Sequence, residues 1–475
     1  MTDTTNYIRI APPAVIHLIG ICGTGMGTLA GLLREKGFAV TGSDAHAYPP
    51  MSTELERLGI TVMEGFSASN LNHNPDLVVV GNVCRPEHVE AAAARERKIP
   101  YASMPRVIRD IFLRDKEALV IAGTHGKTTT TALTAFLLFK TGRDPSMLVG
   151  GVTADFGTGY RLGKGSTFVI EGDEYDSAYF EKYAKFLSYL PKAAVITSVE
   201  HDHIDIYPSF DTYKNAFEKF VGSVPAPGPI AVFAGDPDAV AVTEESDADV
   251  IRYGVKGDAP ADQLDWMAEP QGVDAFTLTI GGTVAGHFNT PLLGVHNLRN
   301  TLAALILCHV RVGVRLEALA AALPHFQGVA RRQQIIGRPR NITLYDDFAH
   351  HPTAVKETLA ALKANHRNSR LIAAFEPRSA TACRKLHQAQ YAAAFGSADK
   401  AIIAPLGRDI PEEERLDTDR LASDLRNNGI DAVAVSSIEA VAGEIIGTAR
   451  PGDGVALLSN GGFGNLRQHL LKTLS

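Results

Sequence analysis

Four consecutive threonines, Thr128 to Thr131, follow the pair Gly126-Lys127. Threonine is a poor choice for a helix interior unless its hydroxyl is wanted. A hydroxyl run placed directly after a lysine points to an anion and a metal ion. The apolar stretch Leu119 to Ala122 leads into Gly123-Thr124-His125-Gly126-Lys127-Thr128-Thr129, and a helix-compatible segment runs from Ala132 to Leu138. In this strand, loop, helix order, backbone N–H groups converge on one spot and favour a phosphate there. Lys127 would reach the outer phosphates and Thr128 would offer its hydroxyl to Mg²⁺. The usual pattern has a glycine at the position held here by Ile121. The first glycine is Gly123, so the loop is shorter.

Carboxylates and imidazoles form the second group. A strand read over Thr167 to Ile170 ends in Glu171-Gly172-Asp173-Glu174-Tyr175-Asp176, and one over Ala193 to Ile196 leads to Glu200-His201-Asp202-His203-Ile204-Asp205. In open α/β sheets the carboxyl ends of strands carry the site. These two ends, expected to be adjacent, should face the crevice of the phosphate loop. Mg²⁺ takes oxygen ligands, which Thr128 and Glu174 supply. His203 adds an imidazole, compatible with a second site or with Mn²⁺. The His201-x-His203 spacing also fits zinc, although nothing else in the sequence completes a closed ligand set. Arg331 or Arg332, expected in an exposed link, would offset charge on a transferring phosphoryl group. Arg378 would clamp a carboxylate through two parallel hydrogen bonds. His350-His351 before Pro352 fits either a substrate contact or simply a helix start.

These residues need a scaffold. The sequence predicts a strand at Val15–Ile19, a turn rich in glycine, a helix from Thr28 to Lys36 closed by Gly37, and a strand Phe38–Thr41 followed by Gly42-Ser43-Asp44. This βαβ unit ends in an acidic residue, as dinucleotide sites do, but from Gly25 only a G-x-G-x-x-A variant fits. It reads better as a generic phosphate site, with His17 as a satisfied core histidine. Strands at 77–80, 343–345, 371–375, 401–404 and 454–458 and a hairpin around Gly281-Gly282 extend the α/β alternation. A chain of 475 residues is too long for one core. We place domain limits at 1–114, 115–328 and 329–475. Net charge is −7, which disfavours a nucleic-acid backbone as partner. Four separated cysteines and no apolar run near the ~20 residues of a membrane span predict a reduced, cytoplasmic protein without membrane insertion. Nothing in the sequence sets an oligomeric state.

The blocks at 123–129, 173–174 (Asp-Glu), 202–205 (Asp-His-Ile-Asp), 296–300 (His-Asn-x-x-Asn) and 346–352 (Asp-Asp-Phe-Ala-His-His-Pro) together resemble the Mur ligase family, over nearly the whole chain. The resemblance implies an α/β, three-domain architecture. A Rossmann-like N-terminal domain would hold a UDP-muramate, a P-loop ATPase-like domain would bind ATP, and a Rossmann-like C-terminal domain would bring the amino acid or peptide. It implies an ATP-dependent ligase of cell-wall peptide synthesis and recycling, with Mg²⁺ as cofactor and Mn²⁺ accepted. Position by position, it makes Gly123, Thr124, His125, Gly126, Lys127, Thr128 and Thr129 the phosphate cradle, Asn297 the adenine contact, Arg332 the γ-phosphate arginine and Asp346 the ribose contact. Thr128, Glu174 and His203 would bind metal, and Lys127, Glu174, His203 and Arg332 would carry the chemistry. Gly23, Thr24, Gly25, Met26 and Asp44 would contact UDP, and His351, Arg378 and Asn460 the incoming peptide.

Two activities of the family come nearest: joining UDP-N-acetylmuramate to L-alanine, or to the tripeptide L-alanyl-γ-D-glutamyl-meso-diaminopimelate. The blocks at 42–53, 376–379 (Glu-Pro-Arg-Ser) and 459–464 (Ser-Asn-Gly-Gly-Phe-Gly) are similar to the peptide-joining members. Many members use a carbamylated lysine at a position that is Phe217 here, with Lys214 and Lys219 out of register, so the resemblance implies metal binding without a carbamate. Two readings of other classes stay open: an NAD-dependent oxidoreductase built on the first βαβ unit, and a non-catalytic nucleotide sensor.

Overall fold

A computed structural model describes residues 7–47, 51–82 and 84–474. Residues 48–50 of the 42–53 block, and Val83, lie outside the described residues. Strands β1 (Val15–Ile19), β2 (Ala39–Asp44), β3 (Val62–Glu64), β4 (Leu77–Val80) and β5 (Tyr101–Ser103) form an all-parallel sheet in the order 3-2-1-4-5. A parallel sheet buries both faces. Accordingly Ile16 and Leu18 pack under one layer of helices while Ile19, Val78 and Val80 pack under the other. His17 is fully buried and satisfied by Thr41 and Glu90, as expected of a core histidine.

The helix after β1 begins at Thr24, four residues before the predicted start, and ends at Gly37 with φ 98°. Gly27 and Gly31 therefore lie inside the helix and serve packing, while Gly20 and Gly23 precede it. A Cβ on Gly27 would stand 2.0 Å from Met51 Sδ, and one on Gly31 would stand 2.1 Å from the Tyr160 ring. Only glycine lets those two neighbours approach so closely.

Strands β6 (Glu117–Ala122), β7 (Ser146–Leu148), β8 (Tyr160–Arg161), β9 (Thr167–Glu171), β12 (Ala193–Ile196), β13 (Pro229–Phe233), β14 (Asp249–Val255), β15 (Trp266–Pro270), β16 (Ala275–Ile280) and β17 (Thr283–Asn289) form one sheet, and the short pair β10 (Asp176–Ala178) and β11 (Glu181–Ala184) stands apart. The order is 17-16-15-14-13-12-6-9-7-8. Its parallel centre runs from β15 to β7, and the expected hairpin at Gly281-Gly282 joins β16 to β17 with φ of 54° and 77°. The ends of β9 and β12 are not adjacent, as the sequence reading had them: they flank β6 on its two sides.

The third sheet, β18 (Gln334–Gly337), β19 (Thr343–Asp347), β20 (Leu371–Phe375), β21 (Lys400–Ile403), β22 (Asp431–Ala434) and β23 (Gly454–Leu458), runs 18-19-23-20-21-22 and is parallel except for β18. Among the described residues no helix is long and apolar enough to cross a membrane.

Candidate active site

The loop between β6 and the helix Lys127–Lys140 is pinned by the end of β12. Thr124 N donates to Ser198 O at 2.9 Å, and His125 N donates to Ser198 Oγ at 3.0 Å. Gly123 and Gly126 have φ of 130° and 80°. Side chains there would strike Thr197 Oγ1 at 2.0 Å and Asn300 Oδ1 at 2.3 Å. Both glycines are thus fixed by backbone conformation and by close approach. The N-terminus of the following helix carries no side-chain cap, which leaves its N–H groups directed at the loop's hollow.

Lys127 folds over its own loop, with Nζ contacting Gly123 O and Thr124 O. It lies 3.0 Å and 2.9 Å from the two carboxylate oxygens of Glu174. Glu174 is fully buried. His203 Nε2 stands 3.0 Å from its Oε1, and Tyr213 Oη donates to the same oxygen at 3.3 Å. Burial alone would raise the Glu174 pKa, but Lys127 and His203 hold it below the usual carboxylate range. Burial pulls the His203 pKa down, yet the bond to Glu174 raises it on balance. Thr128, expected beside Glu174, donates instead to Glu171 Oε1 at 3.0 Å and accepts from Arg332 Nη2 at 3.0 Å. Carboxylates, an imidazole and a hydroxyl at the mouth of a phosphate loop fit Mg²⁺, and Mn²⁺ as well. His201 turns away, its Nε2 meeting Tyr207 O at 2.9 Å, so the His201/His203 pair does not form a zinc site.

Phe217 is fully buried against Phe186 and Tyr213. Lys214 pairs with Asp238 at 3.4 Å and Lys219 is exposed. The phenol of Tyr213, not a lysine from this helix, meets Glu174.

The helix Val295–Ile306 lies over the loop. The apolar run from Thr301 to His309 reads from sequence as a helix; the structure starts it six residues earlier, at Val295, which puts Asn297 and Asn300 inside it. Asn297 Nδ2 donates to Leu293 O at 2.8 Å, and its Oδ1 accepts from Asn300 at 3.1 Å. The link at 331–333 is half-buried rather than exposed. Arg331 and Gln333 have φ of 62° and 49°, which splays neighbouring side chains to opposite sides. Arg331 reaches Ser459 O and Gly461 O in the third domain, while Arg332 reaches Thr128. Both guanidiniums stack on Phe348. Asp346 faces Arg467 at 2.7 Å and Arg331 at 3.6 Å.

In the first domain, Gly23, Thr24 and Gly25 are exposed at a helix N-terminus between the ends of β1, β2 and β4, with Met26 buried beneath. Asp44 ends β2 and accepts from Cys22 N at 2.8 Å. This is the switch point of the sheet, where a phosphate is favoured.

In the third domain, Arg378 contacts Glu376 at 3.3 Å, and Ser459 donates to the same carboxylate. A Cβ on Gly461 would fall 2.0 Å from Arg378 Cδ, so the blocks at 376–379 and 459–464 are tightly apposed. Asn460, within the second block, has a buried Oδ1 without a hydrogen-bond partner. Next to Arg378, a cavity of about 480 Å³ is lined by Leu406, Gly407, Arg408, Asp409, Ile410 and Arg415. His351 is buried, and burial and the nearby His125 push its pKa down to about 3. The sequence reading missed Glu171, Glu200 and Asn300. The first two signalled themselves only as acids near strand ends, and Asn300 as the last residue of its block.

Known families fit this geometry. Residues 15–116 match the Mur ligase family catalytic domain, 121–308 the Mur ligase middle domain, and 331–461 the Mur ligase glutamate ligase domain. The chain is 36% identical to UDP-N-acetylmuramate:L-alanyl-gamma-D-glutamyl-meso-2,6-diaminoheptandioate ligase of Escherichia coli (strain K12), over 97% of this chain and 98% of that one. It is 35% identical to a UDP-N-acetylmuramate:L-alanine ligase of Roseiflexus sp. (strain RS-1), over 96% and 98%. The crystal structure of a murein peptide ligase from Psychrobacter arcticus 273-4 superposes with a TM-score of 0.72 at 33% identity, covering 97% of this chain and 98% of that one. With relatives this similar along almost its entire length, the chain belongs to the Mur ligase family of ATP-dependent, amide-bond-forming ligases.

Proposed function

We propose that this chain joins the lactyl carboxylate of UDP-N-acetylmuramate to the L-alanyl amine of the tripeptide L-alanyl-γ-D-glutamyl-meso-diaminopimelate, in the cytoplasm, as a step of cell-wall peptide recycling. A carboxylate does not condense with an amine at neutral pH, so it must first be made electrophilic. A carboxylate oxygen attacks the γ-phosphorus of ATP and ADP leaves. The amine then attacks the acyl carbon, a tetrahedral intermediate forms, and phosphate departs as the amine proton is lost. The protein positions the groups and offsets charge.

In this reading, residues 1–114 hold the UDP-sugar through Gly23, Thr24, Gly25, Met26 and Asp44. Residues 115–328 hold ATP through the loop at 123–129 and Asn297, and residues 329–475 hold the peptide through His351, Arg378 and Asn460, with Asp346 offered to the ribose. Thr128, Glu174 and His203 would hold Mg²⁺ or Mn²⁺, which when bound screens phosphate charge. Lys127 takes the outer phosphates, and Arg332, already on Thr128, stabilises the transferring phosphoryl group.

The tripeptide, rather than free alanine, is favoured by one observation: Arg378 stands beside a cavity of about 480 Å³ that also carries Arg408 and Arg415. That volume and charge suit a ligand with several carboxylates. ADP release with UDP-N-acetylmuramate and Mg²⁺-ATP tests the choice. The tripeptide should support turnover and L-alanine alone should not; the reverse result makes the chain an alanine ligase. No observation favours the oxidoreductase reading, since Gly27, the second glycine of the G-x-G-x-x-A variant, is taken up by Met51. The sensor reading predicts no ADP with all substrates present.

A further inference from the structure

We propose that His125, Glu200 and His351 form a second cation site, for a zinc-type divalent ion, and that an ion there clasps the C-terminal domain to the nucleotide loop. His125 Nε2, Glu200 Oε2 and His351 Nδ1 all lie within 4.8 Å of one another. Each ring nitrogen is 3.6 Å from the same carboxylate oxygen. That is too long for a hydrogen bond, and both nitrogens are buried without any hydrogen-bond partner. Buried polar atoms are normally satisfied, so two rings aimed at one carboxylate oxygen at this range call for something between them.

A zinc-type ion meets that need. Ligands about 2.1 Å from Zn²⁺ stand roughly 3.4 Å apart at the tetrahedral angle; the two nitrogen–oxygen pairs, at 3.6 Å, need only a slight contraction, while the two ring nitrogens, within 4.8 Å of each other, must close further. Two imidazoles and a carboxylate form a recognised zinc set with an open fourth position. Two imidazoles to one carboxylate favour a zinc-type ion over Mg²⁺, whereas the site at Thr128 and Glu174 is mainly oxygen, with His203 as its one imidazole. Thr353 Oγ1 donates to Glu200 Oε2 at 2.6 Å and holds the carboxylate in place, as supporting groups do around metals. Glu200 and His351 also line a cleft of about 340 Å³ with His387 and Gln390.

The ligands come from three places far apart in the chain: the nucleotide loop, the segment after β12, and the start of the helix Pro352–Asn365. No local spacing in the sequence brings the three together. An ion held by both domains resists their separation. Zinc should therefore slow turnover wherever domain opening limits product release.

The test reads metal binding in the full chain with Mg²⁺ in excess. Zn²⁺ is titrated against a chromophoric chelator, and Co²⁺ serves as a spectroscopic probe. One Zn²⁺ per chain should bind at micromolar or tighter affinity, and Co²⁺ should show the visible band of four- or five-coordination. Glu200→Gln and His351→Ala should each weaken binding about 100-fold. His351→Cys, which supplies another zinc ligand, should restore it, so that a folding defect is distinguished from a lost ligand. His203→Ala should leave binding in place. Zinc affinity no tighter than millimolar, equal binding by wild type and His351→Ala, no rescue by His351→Cys, or loss of binding on His203→Ala overturns the site.

Discussion

Glu174 is fully buried yet held ionised, and the Lys127 ammonium 2.9 Å away is the main charge that makes this tenable. A buried pair adds little net stability, but removing one partner strands the other. Lys127→Ala should therefore abolish ADP release and also lower the unfolding free energy by about 3 kcal/mol. Adding Glu174→Gln to Lys127→Ala should recover much of that stability and none of the activity. Urea melts and ADP assays on the wild type and the two variants check both arms. At this scale the sequence was informative where chemistry repeats locally: the glycines, lysine and hydroxyls of the loop, and the Asp-Glu pair. It was uninformative where partners depend on strand order. Thr128 meets Glu171 because β9 pairs directly with β6, and no spacing rule encodes that pairing.

At the scale of elements, the strands at 15–19, 77–80, 193–196, 371–375 and 454–458 were legible to the residue, because buried parallel strands read as short apolar runs bounded by turns. The helices Thr24–Lys36 and Val295–Ile306 start earlier than the sequence reading had them. Glycine and asparagine lower helix propensity, so Thr24–Gly27 and Val295–Asn300 read as loop; tertiary packing overrides that preference. Gly31 shows the force involved, since Tyr160 of the central domain lies against its Cα and donates to Glu54 at 2.8 Å. Gly31→Ala inserts a methyl group into that contact. It should destabilise the chain by about 1–3 kcal/mol, read as a lower urea midpoint, although alanine is the better helix former. A Gly31→Ala variant as stable as wild type would show that the two domains do not meet there.

At the scale of the molecule, three large sheets stand in sequence order, and the link between the second and third holds to both. The strap at 331–333 sends one arginine to each neighbour, a division set by left-handed backbone at non-glycine residues that the sequence does not announce. The domains also share a sensitivity to acid. His88, His296 and His366, one in each, have pKa values lowered by burial from the ordinary 6.5. Below about 6.5 the unfolded chain binds these protons more readily than the folded one, so stability should fall as pH drops through that range and be regained above it. His73, His350, His351 and His387 are lowered by burial as well, so His203, with its raised value, acts in the opposite sense as one ring against seven. Urea midpoints at pH 5.5 should lie below those at pH 7.5; equal midpoints would contradict this. The central claim is that the loop around Lys127 exists to make a sugar carboxylate electrophilic at the expense of ATP. Oxygen-18 in the lactyl carboxylate of UDP-N-acetylmuramate tests it most directly. One labelled oxygen should appear in the released phosphate for each amide formed, whereas amide formation with unlabelled phosphate would contradict the account.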